Sequence, residues 1–161
     1  MFRFTYLDKS KKSEYLPLLF DALYSNMKDI APSGLSYEDE KAEFLREVGG
    51  ALEKEPRKIV LCHSETELVG FLMYYPRENL IMIEELQIVK KYQRTRALKL
   101  LCRYMMAILP ENIEYVESFV HKSNVNSISL QKWLGMEITE EINDALLHLR
   151  GDFQAFKSKI K

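Results

Sequence analysis

Residues 80–121 change hydrophobic period twice, and that constrains the fold more than any other feature of the chain. The stretch 80–89 is apolar and rich in β-branched residues, the pattern of a buried strand. A polar, basic loop follows. Ala97, Leu98, Leu101, Cys102 and Met105 then fall on one helical stripe, predicting a helix over 99–109 that Pro110 stops. From 113 to 121 the chain reads as a strand again. Strand, helix and strand in succession need a crossover that lays the two strands parallel.

The flanking segments add antiparallel strands and further helices. A strand is predicted over 3–7, then a helix with Tyr15, Leu18, Leu19, Ala22, Leu23 and Met27 at three- and four-residue steps, in which Pro17 should occupy the first turn. Ser36-Tyr37-Glu38-Asp39 resembles a capping box that opens a second helix through Ala42, Leu45, Val48 and Leu52, weakened by Gly49-Gly50 and ended by Pro56. Strands at 59–62, 68–75 and 80–89, joined by short polar turns, form a meander. After 113–121 comes a short helix through Ile128, Leu130 and Leu134, closed by Gly135, with final strands at 136–142 and 145–149. No linker or repeat interrupts this order, so residues 1–161 are expected to form one α/β domain. Its sheet should be mixed, mostly antiparallel and covered by helices on both faces.

Composition narrows the function. With 23 basic and 24 acidic residues and a formal charge of -1, the chain lacks the field that non-specific nucleic-acid binding needs. No apolar run approaches the roughly 20 residues that span a bilayer, and the N-terminus has no signal-peptide core. A cytoplasmic protein without a nucleic-acid or membrane partner is expected. Cys62 and Cys102 are isolated thiols in apolar runs, read as reduced core residues, and no metal site is expected. His63, His121 and His148 are scattered among strands with no nucleophile at a recognisable spacing, and are read as structural.

The chemistry concentrates where 80–89 feeds the basic loop. Free amides and the positive end of a helix dipole converge at such a junction, and Lys90, Lys91, Arg94 and Arg96 reinforce the field, so the loop is either an anion site or a solvated turn. Leu86-Gln87-Ile88 followed by Tyr92-Gln93 resembles the GNAT N-acetyltransferase superfamily, in which an L-x-V strand precedes a Q/R-x-x-G-x-G/A loop. The two glycine positions hold Arg96 and Leu98 here. Asn124 to Met136 is similar to the family's N-x-x-A-x-x-L-Y-x-x-x-G-F segment, with Ser127 at the alanine and Gln131 at the tyrosine.

The resemblance implies acetyl-CoA as co-substrate. Ile88 would contact its pantetheine arm, Gln93, Arg94, Thr95, Arg96, Ala97 and Leu98 would hold its pyrophosphate, Asn124 would bond the arm, and the amide near Val89 would polarise the thioester carbonyl. Asn124 reads equally as a helix N-cap. Glu84 and Glu85 stand in an otherwise apolar strand, where burial would raise a carboxyl toward a useful base; alternation points them to opposite faces, and parity with Met82 favours Glu84. Either is otherwise a paired or solvated edge residue. Tyr92, Ser129 and Cys102 are the nearby candidates for the acid. Tyr15, Tyr24, Tyr37, Asp29, Glu38, Asp39, Glu40 and Glu43 suggest an acidic, aromatic face for an amine of a small molecule or peptide, or a solvated helix face. The expected activity is acetyl or small-acyl transfer from acetyl-CoA to that amine, by a monomer or homodimer. The alternative is a catalytically impaired relative that binds acyl-CoA or a protein.

Overall fold

The structure, a computed structural model, describes residues 1–54 and 56–161. The elements are β1 (Arg3–Tyr6), α1 (Lys12–Met27), α2 (Tyr37–Lys54), β2 (Lys58–His63), β3 (Leu68–Arg77), β4 (Leu80–Ile88), α3 (Ala97–Met106), β5 (Tyr115–His121), α4 (Val125–Trp133), β6 (Met136–Glu141), β7 (Leu146–Asp152) and α5 (Phe153–Ile160). One seven-stranded sheet has the order β1-β2-β3-β4-β5-β7-β6. All neighbours are antiparallel except β4 and β5, the pair joined by the α3 crossover.

Strand alternation divides the core between the two faces. Ile59, Leu61, Phe71 and Met73 pack under α1 and α2 with Leu16, Leu19 and Leu52, while Val60, Leu72, Ile81 and Val116 pack with Leu101, Met105, Phe156 and Ile160 of α3 and α5. Cys62 and Cys102 are buried there as free thiols. The capping expectation at α2 holds, since the Ser36 hydroxyl receives the Asp39 amide (3.1 Å) and donates to its carboxylate (2.8 Å).

One reading needs correction, and two features were not predicted. Helix α1 begins at Lys12, so Pro17 lies inside the helix rather than in its first turn; the carbonyl it leaves unpaired belongs to exposed Ser13, where water can serve it. Helix α5 was not expected at all, although Asp152 caps it through the Ala155 amide (2.8 Å) and Phe153, Phe156 and Ile160 bury one stripe. Strand β7 inserts between β5 and β6, which places the sequentially earlier β6 at the sheet edge.

Candidate active site

Strands β4 and β5 pair over four residues each, Leu80 to Ile83 against Tyr115 to Ser118. Beyond that point β4 runs on to Ile88, while residues 119–121 of β5 pair with β7. A gap therefore opens along the edge of β4. Val89 donates its amide to the Val69 carbonyl (2.9 Å), and this sets the alternation: residues 85, 87 and 89 turn their backbone groups toward β3, while Leu86 and Ile88 turn theirs into the gap. The expectation that the Val89 amide is free to polarise a carbonyl is thus overturned, because it is committed to β3. Gly70 makes the tight pairing with Ile88 possible; a Cβ there would lie 2.4 Å from the Gln87 carbonyl oxygen.

The register with β3 slips by one residue at Glu84: Tyr74 pairs with Ile83 but Met73 with Glu85. This bulge overturns the opposite-face expectation, because the extra residue resets the alternation. Glu85 now shares a face with Gln87, which reaches Asn26 of α1, and Glu84 is turned to the same side, toward Arg57. The Arg57 guanidinium grips Glu84 with two bonds (2.6 and 2.7 Å) and lies 4.9 Å over the Tyr75 ring. Glu85 has a different environment. Burial pushes its carboxyl up to about 7, a hydrogen bond from Gln87 works against that, and the Glu84 charge adds to it.

The loop after β4 makes a 3-10 turn at Lys90–Tyr92 and enters α3 at Ala97. The Thr95 hydroxyl donates to the Tyr92 carbonyl (2.7 Å) and accepts the Ala97 amide (3.2 Å), pinning the turn. Arg94 and Arg96 are exposed on either side of it. The first intrahelical bond runs from Leu100 to Arg96 (3.0 Å), so of the first-turn amides that of Ala97 is taken by Thr95 and those of Leu98 and Lys99 make no intrahelical bond. Leu98 is partly buried against the α3-side core. Of the residues considered as acids, Tyr92 gives its hydroxyl to Glu67 (2.7 Å), Ser129 is exposed on α4, and Cys102 is sealed in the core with its thiol pushed up to about 12 by burial.

Across the gap, Asn124 caps α4 by accepting the Ser127 amide (3.2 Å), and its amide group approaches the Met27 sulfur at the end of α1 (3.5 Å). Gln131 accepts the hydroxyl of buried Ser118, at the point where β4 and β5 part, and donates to Ser127 (3.1 Å). The aromatic residues of the first two helices are used differently from one another. Tyr15 meets His63 at 5.8 Å, whereas Tyr24 and Tyr37 meet edge to face at 5.0 Å, with Tyr37 donating to Asp21. On the open face of β5 and β7, Glu117 bonds His148 and Arg150 (both 3.2 Å). Asn26, Arg57 and Ser118 had escaped the sequence reading, and no local signal marks them.

The family model for the acetyltransferase (GNAT) family matches residues 20–136. The chain belongs to the GNAT family. It is therefore an acyltransferase of a family that draws on acetyl-CoA. No curated protein matches it. Among solved structures, an acetyltransferase from Thermus thermophilus is 15% identical with a TM-score of 0.74, over 94% of this chain and 97% of that one. The PaiA N-acetyltransferase from Thermoplasma acidophilum, in complex with coenzyme A, is 14% identical with a TM-score of 0.71, over 94% and 99%. The ribosomal-protein-S18-alanine N-acetyltransferase from Escherichia coli is 13% identical with a TM-score of 0.62, over 94% of each chain. At these identities the likeness is one of fold. No helix among the described residues is long and apolar enough to cross a membrane.

Proposed function

We propose that this GNAT protein transfers an acetyl or other small acyl group from acetyl-CoA to a primary amine on a small molecule or peptide, with Glu85 as the base. One observation carries the choice: Glu85 lies on the stretch of β4 that β5 leaves uncovered, with its carboxyl raised to about 7, whereas Glu84 is held in a two-bond ion pair by Arg57. A base of that strength is ionised near neutral pH yet accepts a proton readily. Glu85 takes a proton from the ammonium, and the freed nitrogen lone pair attacks the thioester carbon. The Leu86 and Ile88 amides supply donors to the carbonyl oxygen. When the carbon–sulfur bond breaks, the nitrogen gives up its second proton to water and the thiolate takes its proton from water, because Gln131 has no acidic proton to give. The Arg94 and Arg96 guanidiniums receive the pyrophosphate at the positive end of α3, with Gln93, Thr95, Ala97 and Leu98 shaping the loop and Asn124 facing the arm. The whole chain works as one cytoplasmic domain, alone or as a homodimer; its near-neutral charge supports the absence of a nucleic-acid partner.

The test is thiol release from acetyl-CoA over a panel of amines. Glu85→Gln should cut turnover by roughly 10²- to 10⁴-fold while coenzyme A affinity stays within roughly twofold of the parent. Unchanged turnover would remove Glu85 as the base, and a matching loss in Glu84→Gln would pass the role to its neighbour.

A further inference from the structure

Side-chain amides form a continuous chain along the α1 face of β4. Gln93 Nε2 donates to Asn26 Oδ1 (3.2 Å), Asn26 Nδ2 donates to Gln87 Oε1 (3.0 Å), and Gln87 Nε2 donates to Glu85 Oε2 (3.0 Å). One atom sets the direction of every link. The Ile88 carbonyl oxygen can only accept, and it receives both Gln93 Nε2 (3.1 Å) and Asn26 Nδ2 (3.0 Å). The nitrogen ends of both amides must therefore point at Ile88. Asn26 Oδ1 is left to receive Gln93, and its second N–H falls on Gln87, whose oxygen must accept. The Gln87 nitrogen then remains for Glu85. Phe71 and Met73, which pair with Gln87 and Glu85 from β3, are apolar, so this row of amides is not a general feature of the face.

We propose that Gln93, Asn26 and Gln87 are positioning residues, a one-way relay that orients the Glu85 carboxylate and ties it to the occupancy of the loop after β4. The coupling rests on reading that loop as the coenzyme A site. Both acceptor positions of the Ile88 carbonyl are already filled, so an amide-bearing arm that pairs there along the β4 edge must displace Gln93 or Asn26. Displacing Gln93 takes the donor from Asn26 Oδ1; displacing Asn26 loosens its hold on Gln87. In either case Glu85 loses part of its donor and binds a proton more tightly. The charged groups facing Glu85 are Glu84 and its partner Arg57; Asn26 from α1 and Met73 from β3 bring no charge.

The experiment is a carbon-13 carboxyl titration of the whole chain labelled at glutamate side chains, with the Glu85 signal assigned by its loss in Glu85→Gln. In the free protein, Asn26→Ala should raise the Glu85 midpoint by roughly 0.3–0.5 pH unit, because Gln87 keeps its bond to Glu85 but loses the partner that holds it in place. Coenzyme A should raise the wild-type midpoint in the same direction, with a smaller response in Gln93→Ala, whose exposed position spares the fold. An unchanged midpoint in an Asn26→Ala protein that melts like the parent overturns the relay. Equal coenzyme A responses in wild type and Gln93→Ala overturn the coupling. Failure of coenzyme A to bind in calorimetry overturns the coupling together with the reading of the loop, while the Asn26→Ala midpoint in the free protein still decides the relay.

Discussion

Glu85→Gln should make the protein more stable at the pH where it abolishes activity. In the unfolded chain this carboxyl titrates at its ordinary value of 4.5, and in the fold burial raises it to about 7. Between those values the folded state holds more protons than the unfolded state, so stability falls as pH rises. Below 4.5 both states are protonated and the residue costs nothing. Above 7 the penalty is complete, and a gap of about 2.5 pH units at about 1.36 kcal/mol per unit sets its upper bound at about 3 kcal/mol, since Glu85 keeps some solvent exposure. Glutamine has the same shape, still accepts from Gln87 and never ionises. Urea unfolding from pH 4 to 8.5 should therefore show parent and variant matched in acid and the variant ahead by about 2–3 kcal/mol at pH 8, or on the order of 4–12 °C in Tm. A difference that is flat with pH, or a variant weaker than the parent at pH 8, would refute the burial argument. The kinetic counterpart has the opposite sign: kcat/KM of the parent should rise with pH through about 7 as the base ionises, and the variant should lack that limb.

Gly70→Ala would set a methyl 2.4 Å from the Gln87 carbonyl oxygen and 2.8 Å from Ile88 Cδ1. It should lower stability by about 2–3 kcal/mol in urea titration and weaken coenzyme A binding, because β4 has to move. Gln131→Ala should leave the Ser118 hydroxyl, on a residue 5% exposed, without its acceptor and cost about 1–3 kcal/mol; an equally stable variant would remove that bond from the account of the gap.

The two period changes over 80–121 were enough to place the parallel crossover, and the short strands before it were enough to place the meander, because each is a local signal. The first strand, both early helices, the helix closed by Gly135 and the last two strands were legible in the same local way, whereas what the sequence reading missed depended on pairing or on a short pattern. Alternation alone assigns Glu84 and Glu85 to opposite faces; the bulge that brings them together is a register choice made against β3, and nothing at residues 83–85 announces it. Asn26 lies 61 residues from Gln87 and looks like any polar residue near a helix end. Arg57 follows Pro56 and reads as a solvated turn residue until the fold sets it across from Glu84. The insertion of β7 between β5 and β6 is likewise non-local. Helix α5 was legible in principle, since Asp152 before Phe153, Phe156 and Ile160 is a cap followed by a buried stripe, but eight residues give the period little room to declare itself.

The loop raises a sharper question than its missing glycines suggest. At Arg96 the backbone has φ −78° and ψ −1°, and Leu98 lies inside α3, so neither family glycine position demands glycine for conformational reasons. What glycine would provide there is room for a phosphate to reach the amides. The residue whose backbone does favour glycine is Arg94, at φ 66°, where a side chain costs roughly 1–2 kcal/mol. An arginine on each side of the pinned Thr95 turn moves the phosphate contact outward, because a guanidinium delivers two parallel N–H bonds at the end of a long side chain. Arg96→Gly separates the two ways of holding the anion. If the amides hold it, glycine opens the approach and coenzyme A binds more tightly. If the guanidiniums hold it, affinity falls by about tenfold and its dependence on salt becomes shallower, since one charge has left the site. The side-chain reading requires the second result, and tighter binding by Arg96→Gly in calorimetry would refute it.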